Sequence, residues 1–259
     1  VSNPKIVAII PARMGASRFP GKPLTKILNL PMVEHVRRRI ILAPIIDEVY
    51  VATCDQEIKE AVETHGGKAV MTANTHERCT DRIAEAAESL QLQDAIIVIV
   101  QGDEPLFMPE AIDLVVGPLL KDEQIQCSNL LSRIITPEDF SDIDIVKAVL
   151  DYRGRVMFYS RSPIPYARTT HHQTPLRQTG ISAFRSRFLK TFTELSPTPL
   201  ERTESIDFLR MLEHGLSISG VIYDQVAVGV DRPDDVEKIE YILQNDPKQN
   251  RLFEQIIKT

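Results

Sequence analysis

Three cations stand close together near the start of the chain, in Pro11-Ala12-Arg13-Met14-Gly15-Ala16-Ser17-Arg18-Phe19-Pro20-Gly21-Lys22-Pro23-Leu24. Guanidinium and ammonium groups beside the backbone N–H groups of a Gly-containing loop are what a polyphosphate needs. The plainer alternative is a Pro- and Gly-rich surface loop whose charges are solvated. The loop follows a short apolar run, and parallel sheets bind ligands beyond the carboxyl ends of such strands. It is neither GxxxxGK followed by Ser or Thr nor GxGxxG, so two common phosphate-loop signatures are excluded.

A second group is Gln101-Gly102-Asp103-Glu104-Pro105, directly after the apolar run Ala95–Val100. There a strand delivers a carboxylate to the sheet edge, and Gly102 would let a ligand approach closely. Magnesium takes one or two carboxylates together with phosphate oxygens, so Asp103 is a candidate ligand. A turn or helix cap is the structural alternative. Strand alternation points Glu104 elsewhere. The third group is Val230-Asp231-Arg232-Pro233-Asp234-Asp235. On its own, Asp231 ahead of Pro233 reads as a helix N-cap.

The histidines form no metal triad. His171 and His172 are adjacent, face different ways and read as loop residues. Cys54, Cys79 and Cys127 are odd in number and contain no CxxC pair. A disulfide framework or zinc ribbon is therefore not expected, and a reducing cytoplasm is. The chain has 259 residues, 30 Lys+Arg against 36 Asp+Glu and a net charge of −6. Mild acidity argues against a nucleic-acid scaffold but leaves room for a local basic cleft. The first residues carry one charge and a short apolar run, unlike a signal peptide or membrane span, and nothing approaches 18 consecutive apolar residues.

The elements that must hold these groups repeat as strand, loop and helix. Ile6–Ile10, Glu48–Thr53, Ala69–Met71 and Ala95–Val100 read as strands, and Met32–Leu42, Gln56–His65 and Thr80–Leu90 as helices, with Gly66-Gly67 ending the second helix. This predicts an α/β fold, a mainly parallel sheet with helices on both faces. Val146–Leu150 and Val156–Tyr159 then flank a hairpin turn at Asp151–Gly154. Thr203–Gly215 reads as helix, Ser217–Tyr223 and Ala227–Val230 as short strands, and Pro233–Leu243 as a helix capped by Asp231. The chain is predicted to be one domain, residues 1–259, with a less regular insert at about 150–225.

The run IIPARMGASRFPGKPL resembles the nucleotide loop of the sugar cytidylyltransferases, within the nucleotidyltransferase fold, and particularly that of the 3-deoxy-manno-octulosonate (Kdo) cytidylyltransferases. VATCDQEI, MTANTHERCTDRIAEA, VIVQGDEPL, VMFYSRSPIPYAR, SPTPLERTESIDFLRMLEHG and VGVDRPDDVEKIE resemble further family motifs in the same order, over roughly residues 6–243. The resemblance implies that Pro11, Ala12, Arg13 and Lys22 wrap the CTP phosphates. It places Thr53, Asp55, Thr80, Arg82 and Gln101 at the nucleotide. It implies Mg²⁺ between Asp103 and Asp231, with Arg13 and Lys22 assisting catalysis. It also implies a homodimer built through the insert, and a role in lipopolysaccharide or capsule synthesis.

An acidic sugar needs a cation for its carboxylate and polar groups for its hydroxyls. Arg161 follows the family's Ser-Arg pattern and suits the carboxylate. Gln101, Gln178, Ser182, Glu201 and Glu204 are the other sugar-facing candidates, while Asp207 and Arg210 read as charge pairing along one helix face. The sequence departs from the family here. His-Leu-Gly-Ile-Tyr becomes Gln178-Thr179-Gly180-Ile181-Ser182, and the usual Gly before Thr80 is Cys79. The triphosphate half is standard and the sugar half altered. Three readings stay open: Kdo transfer, transfer of another acid such as a nonulosonate, and a silent nucleotide-binding homologue.

Overall fold

A computed structural model describes residues 4–15, 19–169, 174–225 and 228–259. Arg18, the His171-His172 pair and the start of the Ala227–Val230 run lie outside the described residues. The chain divides into two compact units, residues 1–113 with 227–259, and residues 114–226.

The first unit opens with β1 (Ile6–Ala12), the short pair β2 (Lys26–Ile27) and β3 (Leu30–Pro31), and α1 (Met32–Ile41). It continues through β4 (Glu48–Thr53), α2 (Gln56–Thr64), β5 (Lys68–Met71), α3 (Cys79–Ser89) and β6 (Ile96–Val100), after which α4 (Glu110–Lys121) leads onward. The second unit holds β7 (Cys127–Arg133), α5 (Pro137–Ser141), β8 (Lys147–Leu150), β9 (Val156–Ser160), β10 (Leu176–Arg185), α6 (Ser186–Glu194), α7 (Pro199–Glu204), α8 (Phe208–Glu213) and β11 (Ser219–Tyr223). The chain ends in the first unit with α9 (Asp235–Asn245) and α10 (Pro247–Ile256).

In the first unit β6, β1, β4 and β5 lie side by side, all parallel. Every residue of β1 and β6 is buried, which is why both read as unbroken apolar runs. In the second unit β11 pairs β7 in parallel, and β7, β10, β8 and β9 follow antiparallel. The α/β fold with a mainly parallel sheet flanked by helices is thus the fold observed. The stretch expected as an insert falls inside the second unit, which begins earlier because β7 is hydrogen-bonded into its sheet.

Two expected helices differ. Thr203–Gly215 is broken: α7 starts at Pro199 under a Thr198/Glu201 capping box, and Ser205 takes the left-handed φ of 54° that ends it. The helix expected from Pro233 starts at Asp235. Residues 228–230 are not strand.

Helix α1 buries its charges as well as its apolar residues. Glu34 is 0% exposed and accepts from Arg37 Nε and Nη2 at 2.8 Å each and from Arg38 Nε at 3.1 Å. Arg37 also donates to the His65 carbonyl, Arg38 to that of Ile256 and Arg39 to that of Phe107. The His65 and Ile256 carbonyls lie at the C-terminal ends of α2 and α10, where helix carbonyls lack intrahelical partners. His35, also fully buried, donates from Nε2 to the Ile27 carbonyl at 2.8 Å and stacks on Phe253.

Burial is the main cause that lowers the His35 pKa from 6.5 to about 4; the hydrogen bond to Ile27 opposes this and Arg39 and Arg38 add to it. The unfolded chain therefore binds this proton at higher pH than the folded one. The resulting stability, about 3 kcal/mol, is full above pH 6.5 and is lost as pH falls through about 4. His35→Phe keeps the stack and removes the titration. Urea midpoints measured between pH 7 and pH 4.5 are expected to fall less in the variant than in the parent. Parallel slopes for the two proteins would refute the assignment.

Candidate active site

The chain leaves β1 at Ala12 and forms a closed loop. Gly21 N–H donates to the Met14 carbonyl at 3.0 Å, and Gly21 sits at φ 75°, a conformation that favours glycine. Met14 N–H donates to Asp55 Oδ2 at 2.7 Å, so the residue before α2 holds the loop's neck. Lys22 and Pro23 then begin a single 3-10 turn. From it the Lys22 ammonium reaches Asp103 Oδ2 at 2.6 Å and the Val230 carbonyl at 2.9 Å. Their side chains are 16% and 35% exposed, so the pair is shielded yet open to a ligand.

Asp103 arrives from the carboxyl end of β6. A Cβ at Gly102 would stand 3.3 Å from the Pro11 carbonyl, so the missing side chain lets two strand ends come close, and Gly102 itself lines the cleft that these loops enclose. Val230 N–H donates to the Asp103 carbonyl at 2.9 Å, and this joint brings the exposed Asp231 alongside. The capping expectation for Asp231 is corrected here. Asp235 Oδ2 accepts the N–H groups of Asp231 and Arg232, each at 2.8 Å, so the later carboxylate ties down the turn.

These loops enclose a cleft of about 300 Å³. Of the expected residues, Pro11, Ala12, Arg13 and Lys22 line it from the β1 side. Arg82, Gln101, Asp103 and Asp231 line it from the others. Arg13 is exposed and its guanidinium has no protein partner among the described residues. Arg82 is 3% exposed and is held by Thr72 Oγ1 and the Ala73 carbonyl. Gln101 Nε2 donates to Cys79 Sγ at 2.9 Å. Cys79 opens α3, so a helix N-terminus with its partial positive charge also borders the cleft.

The sequence reading missed Phe19, His76, Glu77 and Arg78 as lining residues. Arg78 could have been found as a cation directly before a helix start. Four cationic side chains, Arg13, Lys22, Arg78 and Arg82, face three carboxylates, Glu77, Asp103 and Asp231, in a chain of net charge −6. Three expected nucleotide residues do not reach the cleft. Thr53 is 0% and Thr80 1% exposed, and Asp55 is spent on the loop neck. Asp103 and Asp231 offer only oxygen ligands, which suits magnesium, and the ammonium on Asp103 shows that a cation is accommodated there.

The other expected residues lie in the second unit. Arg161 N–H donates to Glu204 Oε2 and Ser160 Oγ to Glu204 Oε1, each at 2.7 Å. Glu201, expected to face the sugar, is instead 1% exposed and gripped by Arg210 through Nε at 2.8 Å and Nη2 at 2.6 Å. Arg210 therefore pairs across two helices, not along one face. Gln178 is half-buried on β10, and its N–H bonds the Val146 carbonyl. Ser182 is 4% exposed opposite Asn129, with a register shift between the two β10 positions. Asn129 Nδ2 donates to the Thr179 and Ile181 carbonyls and its Oδ1 accepts from Tyr159, a bridge with no local sequence signal.

A family model described as cytidylyltransferase matches residues 7–218. The 3-deoxy-manno-octulosonate cytidylyltransferase of Geobacter metallireducens is 42% identical over 246 residues, 91% of this chain and 96% of that protein. The protein of the same name from Syntrophus aciditrophicus is 43% identical over 241 residues, 92% and 97% of the two chains. A solved CMP:2-keto-3-deoxy-manno-octonic acid synthetase complexed with CTP matches with a TM-score of 0.88 at 34% identity, over 93% of this chain and 99% of that one.

Proposed function

Because the chain belongs to the cytidylyltransferase family, we propose that it joins CTP to 3-deoxy-manno-octulosonate, releasing pyrophosphate. The observation that carries this reading is the Lys22–Asp103 contact in a cationic cleft beyond the strand ends, in a chain so similar to named relatives. In the reaction the sugar's anomeric hydroxyl attacks the α-phosphate in line. No covalent protein intermediate is required.

The chain's own part is to position and to neutralise. Arg13, exposed at the cleft, takes phosphate oxygens. Lys22 exchanges its hold on Asp103 for the triphosphate, and Arg82 stays fixed as part of the wall. Asp103 and Asp231 would hold Mg²⁺, which supplies charge neutralisation at the phosphate oxygens. Arg161 reads the sugar's carboxylate. The homodimer, the cytoplasmic setting and the pathway in lipopolysaccharide or capsule synthesis belong to the same proposal. Among the described residues no helix is long and apolar enough to cross a membrane.

Pyrophosphate release over a nucleotide panel and a panel of 2-ulosonic acids tests the reading. With CTP and Kdo we expect the highest kcat/KM. UTP is expected to be slower by about tenfold or more, because cytosine's N4 amino group would be read by backbone carbonyls that a uracil carbonyl repels. Comparable rates with UTP would refute the base assignment. A higher kcat/KM for a larger ulosonic acid would assign the altered Gln178–Ser182 stretch to a different sugar.

A further inference from the structure

Lys147 opens β8 and is 0% exposed, an expensive place for an ammonium group. Its Nζ donates to the carbonyls of Asp142 at 2.5 Å, Ile145 at 2.9 Å and Arg161 at 2.7 Å. An ammonium has three N–H donors, so these carbonyls satisfy it fully. None of the acceptors is a carboxylate. Burial lowers its pKa; Asp142 opposes this, Arg161 adds to it, Glu204 opposes it and Arg177 adds to it.

The acceptors show what the ammonium holds together. Two come from the segment between α5 and β8, and the third is the backbone of Arg161 just after β9. The same segment supplies the Ile143 carbonyl that accepts Arg161 Nη1 at 2.9 Å. From the other side, Glu204 accepts Arg161 N–H with its carboxylate and Arg161 Nε with its carbonyl, each at 2.7 Å. A guanidinium has five N–H donors. Two are fixed by the protein, and the rest, including both on Nη2, have no partner among the described residues. The half-buried guanidinium is thus held at Nε and Nη1, with Nη2 left able to meet a carboxylate.

We infer that Lys147 is a positioning residue for acid recognition: its ammonium sets the backbone of Arg161 and the 142–145 segment so that Nη2 of the guanidinium is presented to the sugar's carboxylate. This rests on the reading that Arg161 takes that carboxylate. A neutral side chain of equal length would leave three carbonyls, that of Ile145 buried and the other two partly so, without their donor and let the clamp relax.

The test uses the full chain with Lys147→Met, Arg161→Gln and the double variant. The readouts are KM for Kdo and for CTP from pyrophosphate release, CTP affinity by calorimetry, and the thermal midpoint. Each single variant is expected to raise the KM for Kdo by about tenfold or more while CTP affinity stays within about twofold. The double variant should be no worse than Arg161→Gln alone, because both act through one group. An unchanged KM in Arg161→Gln would remove the reading of Arg161 itself. A raised KM there with none in Lys147→Met, equal losses for CTP and Kdo, or multiplying effects in the double variant would overturn the role of Lys147. If Lys147→Met does not fold, Lys147→Gln, which keeps two donors, is read in the same way. Failure of both to give a folded, CTP-binding chain would make Lys147 a core element and overturn the inference.

Discussion

Asp103→Asn lowers turnover by at least about a thousandfold in a chain that stays folded, and Asp231→Asn behaves alike. The first residue stands at the end of β6 and the second on an exposed turn, and both face the same cleft. Asn keeps the shape of either side chain but removes the negative charge that would hold a divalent cation beside the phosphates. Lys22 retains the Val230 carbonyl in Asp103→Asn, and the backbone joint between Asp103 and Val230 is untouched. The thermal midpoint should therefore move by no more than about 3 °C. The measurement is kcat at saturating CTP, Kdo and Mg²⁺, with calorimetric binding of Mg²⁺ and CTP as a second readout. Near-normal turnover in both variants would sink the two-carboxylate site.

Glu34→Ala is expected to cost about 3–5 kcal/mol of stability. The carboxylate is 0% exposed and receives three hydrogen bonds from Arg37 and Arg38, whose own side chains are 6% and 10% exposed. Removing it leaves two guanidinium groups shielded from water with their main counter-charge gone. The same groups hold the ends of α2 and α10, so their displacement loosens packing around the first unit. Glu63→Ala is the control. Its i,i+4 partner Lys59 is 29% exposed and Glu63 is 45% exposed, and such pairs contribute only about 0.3–0.5 kcal/mol. Urea unfolding of both variants reads the contrast. A loss below about 1 kcal/mol in Glu34→Ala would refute the stabilising role of the buried cluster.

Much of the first unit was legible in the sequence because its pattern is local. β1 and β6 are short apolar runs bounded by loop residues, and β4 was placed at the bounds observed, Glu48–Thr53. Cys127–Arg133 and Leu176–Arg185 carry no such run. Their mixture of polar and apolar residues becomes strand only when β7 and β10 pair with each other, with a register shift that Asn129 bridges. The charges of α1 carry no local sign of burial; they are buried where the ends of α2 and α10 close over them.

The candidate site divides in the same way. Residue types and motif order pointed to a cationic loop, a strand-end carboxylate and a later carboxylate as parts of one site, and residues of all three line one cleft. They did not determine which groups meet. Lys22 finds Asp103 across 81 residues and Val230 across 208, and Asp235, not Asp231, secures the final turn. Glu201 and Arg210 satisfy each other in the interior, while Arg161 is clamped by Glu204 and by the segment that Lys147 anchors. Backbone propensity and the chemistry of a side chain are properties of neighbouring residues. Which buried charge is matched by which partner depends on where the chain returns, because a group removed from water takes the nearest donor or acceptor that folding brings to it.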